Sequence, residues 1–83
     1  MKRKVGKFIA SRNIVNNLEY MTVLMQKCII YRAEASFYQD SIEYVAYSEM
    51  FDEISEGEII PTYQIIFDYD SASDSVFVSA ERH

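Results

Sequence analysis

The chain has 83 residues, 49% of them hydrophobic and 14% aromatic, with a formal charge of −5. Eighty-three residues sustain one core and leave no room among them for a second, and so much apolar and aromatic content excludes a disordered chain. The net charge hides a segregation: Lys2, Arg3, Lys4, Lys7 and Arg12 open the chain without an acid, whereas residues 33–81 carry twelve carboxylates and no lysine or arginine.

Residues 1–12 read as a basic N-terminal arm, mobile or loosely docked, and residues 13–82 as a single small α+β domain. The basic start resembles that of a signal peptide, but Asn13, Asn16, Asn17 and Glu19 interrupt any apolar stretch after it. The acid-free residues 1–18 leave mitochondrial-type targeting as an alternative. Ser11 or Asn13 can cap a helix running to about Gln26, with Ile14, Leu18, Met21 and Met25 spaced three or four apart. Its second half, residues 20–25, is apolar on every side and reads equally as extended.

Cys28 is the single cysteine and lies in an apolar run, so no internal disulfide is open to the chain. It reads as a small buried hydrophobe, because only Lys27 is near enough in sequence to lower its pKa. No segment reaches the length of about 18 apolar residues that a membrane span requires. A reducing, cytoplasmic setting is the expectation.

From Cys28 the period becomes two. Ile29, Tyr31, Ala33, Ala35 and Phe37 share one face, and Arg32, Glu34, Ser36 and Tyr38 the other. Gln39-Asp40-Ser41 is a turn, and Ile42–Ser48 resumes as the second strand of a hairpin. Ser48 can cap a short acidic helix over 49–56, with Met50, Phe51 and Ile54 as its inner stripe and Gly57 as its stop. Residues 59–69 carry the strongest strand signal, with Pro61 near the start as an edge proline should be. A polar turn at 70–74 leads to a last strand at 75–81. The expected fold is α+β: one N-terminal helix packed on a four-stranded antiparallel sheet of two hairpins, with the short acidic helix between them.

Catalysis lacks its parts, and the chain is expected to be non-enzymatic and to need no metal or cofactor. The only histidine is His83, the last residue, and Cys28 has no histidine partner. There is no glycine-rich phosphate loop and no paired-histidine motif. Asp52/Glu53 and Glu56/Glu58 suit acid–base work in principle, but they lie on an exposed edge rather than in a cleft. Asp68, Asp70 and Asp74 have calcium-loop spacing; Ser73 and Ser79, however, stand where such a loop needs glycine and glutamate.

What remains is interaction. Seven tyrosines exceed what one small core can hide. Tyr44 and Tyr47 have opposite strand parity, which leaves one ring of the pair exposed. A rigid amphipathic ring beside carboxylates makes a good protein-binding surface. With Glu49 and Asp52 assigned to a helix start and Asp70 and Asp74 to a turn, the candidate partner-binding group is Glu43, Tyr44, Tyr47, Glu53, Glu56 and Glu58.

Carboxylates on alternate strand residues recur about every 6.6 Å, comparable with phosphates along a DNA strand. A small acidic domain can therefore occupy a nucleic-acid groove on another protein as a DNA mimic, although here the acids cluster irregularly in Asp40–Glu58. In size, acidity and tyrosine content the chain resembles small inhibitors encoded by phages and other mobile elements, including those that block restriction or CRISPR machinery (anti-CRISPR proteins). That resemblance implies a partner protein with a basic surface.

The alternative is a small homo-oligomeric structural or accessory bacterial protein whose acidity serves solubility alone, a homodimer pairing edge strands being one form. Direct nucleic-acid binding is expected only weakly and through the basic arm. That arm otherwise folds back on the acidic body, pairs with the body of a second copy, or remains a solvated tail.

Overall fold

The computed structural model describes residues 2–36 and 40–83 and shows a small α+β domain. It opens with strands instead of an arm and a helix. Strands β1 (Lys2–Arg3) and β2 (Val5–Ser11) precede helices α1 (Arg12–Val15) and α2 (Leu18–Lys27). Strands β3 (Cys28–Ser36), β4 (Ser41–Ser48), β5 (Ile54–Ser55), β6 (Tyr63–Asp70) and β7 (Ser75–Arg82) follow. The helix is therefore not N-terminal.

Residues 2–12 do not behave as an arm, because β2 has a buried face. Gly6, Phe8 and Ala10 point inward, and two of these three are too small to give a hydrophobic signal in sequence. A Cβ on Gly6 would lie 2.6 Å from the Tyr63 ring, so the small residue is what lets that ring approach the strand. β2 runs antiparallel to β4 over seven pairs, from Val5 opposite Tyr47 to Ser11 opposite Ser41. β1 pairs with β5, setting Lys2 and Arg3 opposite Ser55 and Ile54. The basic head thus lies against the acidic segment after β4.

The single helix expected over 13–26 is two. Asn16 and Asn17 break it, and the Asn17 side chain caps α2 by accepting the Tyr20 amide at 3.1 Å. Residues 20–26 are helical.

Both expected hairpins form, as β3–β4 and β6–β7. They do not merge into one four-stranded sheet. The first joins β2 in a three-stranded antiparallel sheet ordered β2-β4-β3, and the second stays a two-stranded ribbon. One parallel bridge, Lys7 with Thr62, links them, with the Lys7 amide donating to the Pro61 carbonyl at 3.0 Å. Pro61 has no amide to extend that ladder. Asp40 and Asp74, one before β4 and one in the β6–β7 turn, have φ of 52° and 51°, a region aspartate tolerates better than most residues. Phe37, Tyr38 and Gln39, expected to end a strand and begin a turn, lie outside the described residues.

No acidic helix forms over 49–56. Ser48 Oγ accepts the Met50 amide at 3.2 Å, and the Phe51 amide donates to the Ser48 carbonyl, which makes a turn. Phe51 then enters the main core while Ile54 enters a second cluster with Val5 and Val45. Two residues meant for one helical stripe are pulled into separate clusters.

The main core holds Phe8, Ala10, Leu24, Tyr44, Ala46, Phe51 and Tyr63, with Ile65, Phe67, Val78 and Ala80 of the ribbon packed against it. Ser48 is the polar pivot at its margin, 1% exposed. Its hydroxyl donates to the Lys27 carbonyl at 2.6 Å, and its amide donates to the Lys4 carbonyl at 3.0 Å. Ser48→Ala leaves the Lys27 carbonyl and the Met50 amide without that partner and is expected to cost about 1–3 kcal/mol. Urea unfolding checks this: a midpoint equal to wild type would show that the hydroxyl is dispensable.

Candidate interaction surface

The register of the three-stranded sheet sets nine side chains in three rows on its outer face, the face away from the main core, where Ile54 and Ile60 cover Val5 and Val45. Val5, Tyr47 and Ile29 form one, Lys7, Val45 and Arg32 the next, Ile9, Glu43 and Glu34 the third. A β-bulge at Tyr31, between Ile30 and Arg32, creates this arrangement on β3. It reverses the parity, so Ile29 joins Arg32 and Glu34 outside, while Ala33 and Ala35 turn to the inner side. A single period of two across β3 therefore does not hold.

This geometry divides the predicted partner-binding group. Tyr44 belongs to the core: it is buried and stacks on Phe8 with ring centroids 5.3 Å apart, and burial raises its pKa. It offers nothing to a partner. Glu43 and Tyr47 lie on the outer sheet face, four residues or about 13 Å apart, and both are half-buried. Glu53, Glu56 and Glu58 lie in the segment that joins β4 to β6, and all three are exposed.

Local chemistry holds several of these acids. Glu49 takes a hydrogen bond from Lys4 Nζ at 2.8 Å and another from the Tyr47 hydroxyl at 2.5 Å. Those two bonds, Lys4 first, keep its carboxyl below the usual carboxylate pKa, and the Glu49 bond raises Lys4 and Tyr47 in return. Glu53 adds a weaker charge interaction with Lys4. Asp52 lies 3.7 Å from Arg82. Glu58 closes a turn over residues 55–58, accepting the Ser55 amide at 3.0 Å. Gly57 takes φ of 88° there, the value a type II turn asks of its third residue.

Ile59, absent from the predicted partner-binding group, follows directly and is 89% exposed. Periodicity hid it, because it sits inside the strand signal of residues 59–69 although β6 starts only at Tyr63.

Little else among the described residues suggests chemistry. Burial raises the pKa of Cys28, against a smaller opposing effect of Ser48. Asp68 and Asp70 are strand residues of the ribbon, and Asp74 accepts the Tyr69 hydroxyl. Among the described residues no group of histidine, cysteine and acid side chains has the arrangement of a metal site. No family model matches the chain, and comparison with curated proteins and with solved structures gives no match.

Proposed function

We propose that the protein is a non-enzymatic interaction domain that binds a basic surface of a partner protein and inhibits the partner by covering it. The observation that carries this reading is the segment between β4 and β6. Glu49, Asp52, Glu53, Glu56 and Glu58 are all exposed there, beside the protruding Ile59. An apolar anchor within a charged rim is the usual composition of a protein-binding patch. Carboxylates around it favour approach to a cationic surface and suppress anionic partners. The site is thus Ile59 with Glu53, Glu56 and Glu58, supported at one side by Tyr47 and Glu49. Occupation of a nucleic-acid groove, as by phage-encoded anti-defence proteins, is the specific form of inhibition that size and acidity favour.

Glu53→Lys combined with Glu56→Lys is expected to abolish binding to an arginine-rich probe peptide, measured by fluorescence anisotropy, with the thermal midpoint little changed. Ile59→Ala in the same segment is expected to weaken capture of the native partner from a host lysate about tenfold or more, as loss of an interface anchor does. Peptide binding that survives both the charge reversal and about 1 M salt, where the Debye length is about 3 Å, would remove the electrostatic reading.

A further inference from the structure

Among the described residues β3 has a neighbour on one side only, since the sheet order is β2-β4-β3. An edge strand presents unpaired amides and carbonyls that serve as a template for another strand. The bulge at Tyr31 interrupts that template near its first half, but residues 32–36 follow without a bulge, proline or lysine. The strand is exposed along nearly its whole length, with Ile29 62% accessible.

We propose that β3 pairs antiparallel with β3 of a second copy, in the register that sets Ala33 against itself. A two-fold axis normal to the sheet keeps each face on its own side, so a symmetric pairing must centre on one residue. Centring on Arg32 opposes two guanidinium groups, and centring on Glu34 opposes two carboxylates. The Ala33 centre sets Arg32 of each copy opposite Glu34 of the other, on the outer face, twice. Opposite charges directly across a strand pair are favourable and like charges unfavourable.

The chain also contains a like-charge conflict that this pairing relieves. Glu34 stands directly opposite Glu43 of β4, and neither Arg32 nor Glu34 has an ion-pair partner among the described residues. An arginine on the free side of Glu34 offsets the repulsion, and the second copy supplies one. Tyr20 stacks on Phe67 of the ribbon at 4.5 Å, fixing which flank of α2 faces β6 and β7. At 100° per residue Leu18 falls on the opposite flank, and it is 82% exposed.

Light scattering across a concentration series tests the pairing. Wild type is expected to rise towards twice its monomer mass, and Arg32→Glu and Glu34→Arg are each expected to remain monomeric. An equal mixture of those two variants should regain the doubled mass, because two acids of one chain then face two bases of the other. A wild type that stays monomeric throughout, or a mixture no heavier than its components, overturns the proposal. Ala33→Cys in a Cys28→Ser background is expected to form a disulfide-linked dimer on oxidation, whereas Ala35→Cys in that background is not. Cross-linking at position 35 in preference to 33 overturns the register.

Discussion

Deleting residues 1–12 is expected to leave a chain that does not fold. A basic arm would be dispensable, but this segment supplies a strand to the three-stranded sheet and side chains to both clusters. Its Phe8 is fully buried, with Tyr44 and Phe51 at ring-centroid distances of 5.3 and 6.3 Å. Removing a buried phenylalanine side chain costs about 3–5 kcal/mol, and a domain of this length has roughly 4–12 kcal/mol of stability in total. The deletion also removes Val5, Ala10 and the seven-pair ladder with β4, leaving β3–β4 as a lone hairpin, which is marginal in water. Near-ultraviolet circular dichroism and amide chemical-shift dispersion should both collapse. A truncated chain that keeps dispersed amides and unfolds cooperatively would return residues 1–12 to the status of an arm.

Gly6→Ala carries the second largest expected effect, and its sign comes from competing terms. In an open strand, alanine in place of glycine gains about 0.5–1 kcal/mol through the unfolded chain. Here the new Cβ meets Tyr63 at 2.6 and 2.7 Å and Phe51 at 3.0 Å. Tyr63 has little freedom to yield: it is buried, stacks on Phe51 at 4.5 Å and accepts the Asp52 amide on its hydroxyl at 2.9 Å. Overpacking of this kind costs about 1–3 kcal/mol, so the clash wins. The expected fall in melting temperature is about 4–8 °C for each kcal/mol lost. A variant as stable as wild type would mean that the Tyr63 ring moves at no cost, and the Asp52 amide should then show no change in hydrogen-exchange protection.

The charge segregation that marks the chain acquires a different meaning once folded. Part of the basic head lies against the acidic segment: β1 pairs with β5 and Lys4 with Glu49, while Arg12 meets Asp40 at 2.6 Å. The acids are also dispersed over the outer sheet face, the segment after β4 and the β6–β7 ribbon. One continuous acidic stretch in sequence thus becomes several small surfaces, and the one around Ile59 carries the most exposed large apolar side chain among the described residues.

The sequence by itself determined both hairpins, because alternation and polar turn residues act over a few neighbours and need no distant partner. It also determined the α+β class and most of one helix. Tertiary structure alone decided the N-terminal strand, whose inward residues include Gly6 and Ala10 and whose pairing partner Tyr47 lies far along the chain from Val5. It decided the fate of residues 49–56, where a Tyr63 hydroxyl and a β1 backbone claim the groups that a helix would have used. It moved Tyr44 into the core and left Ile59 in solvent, since parity marks two faces of a strand but not which face another element covers. Local chemistry is written in adjacent residues, whereas burial and strand partnership depend on surfaces that meet only after folding.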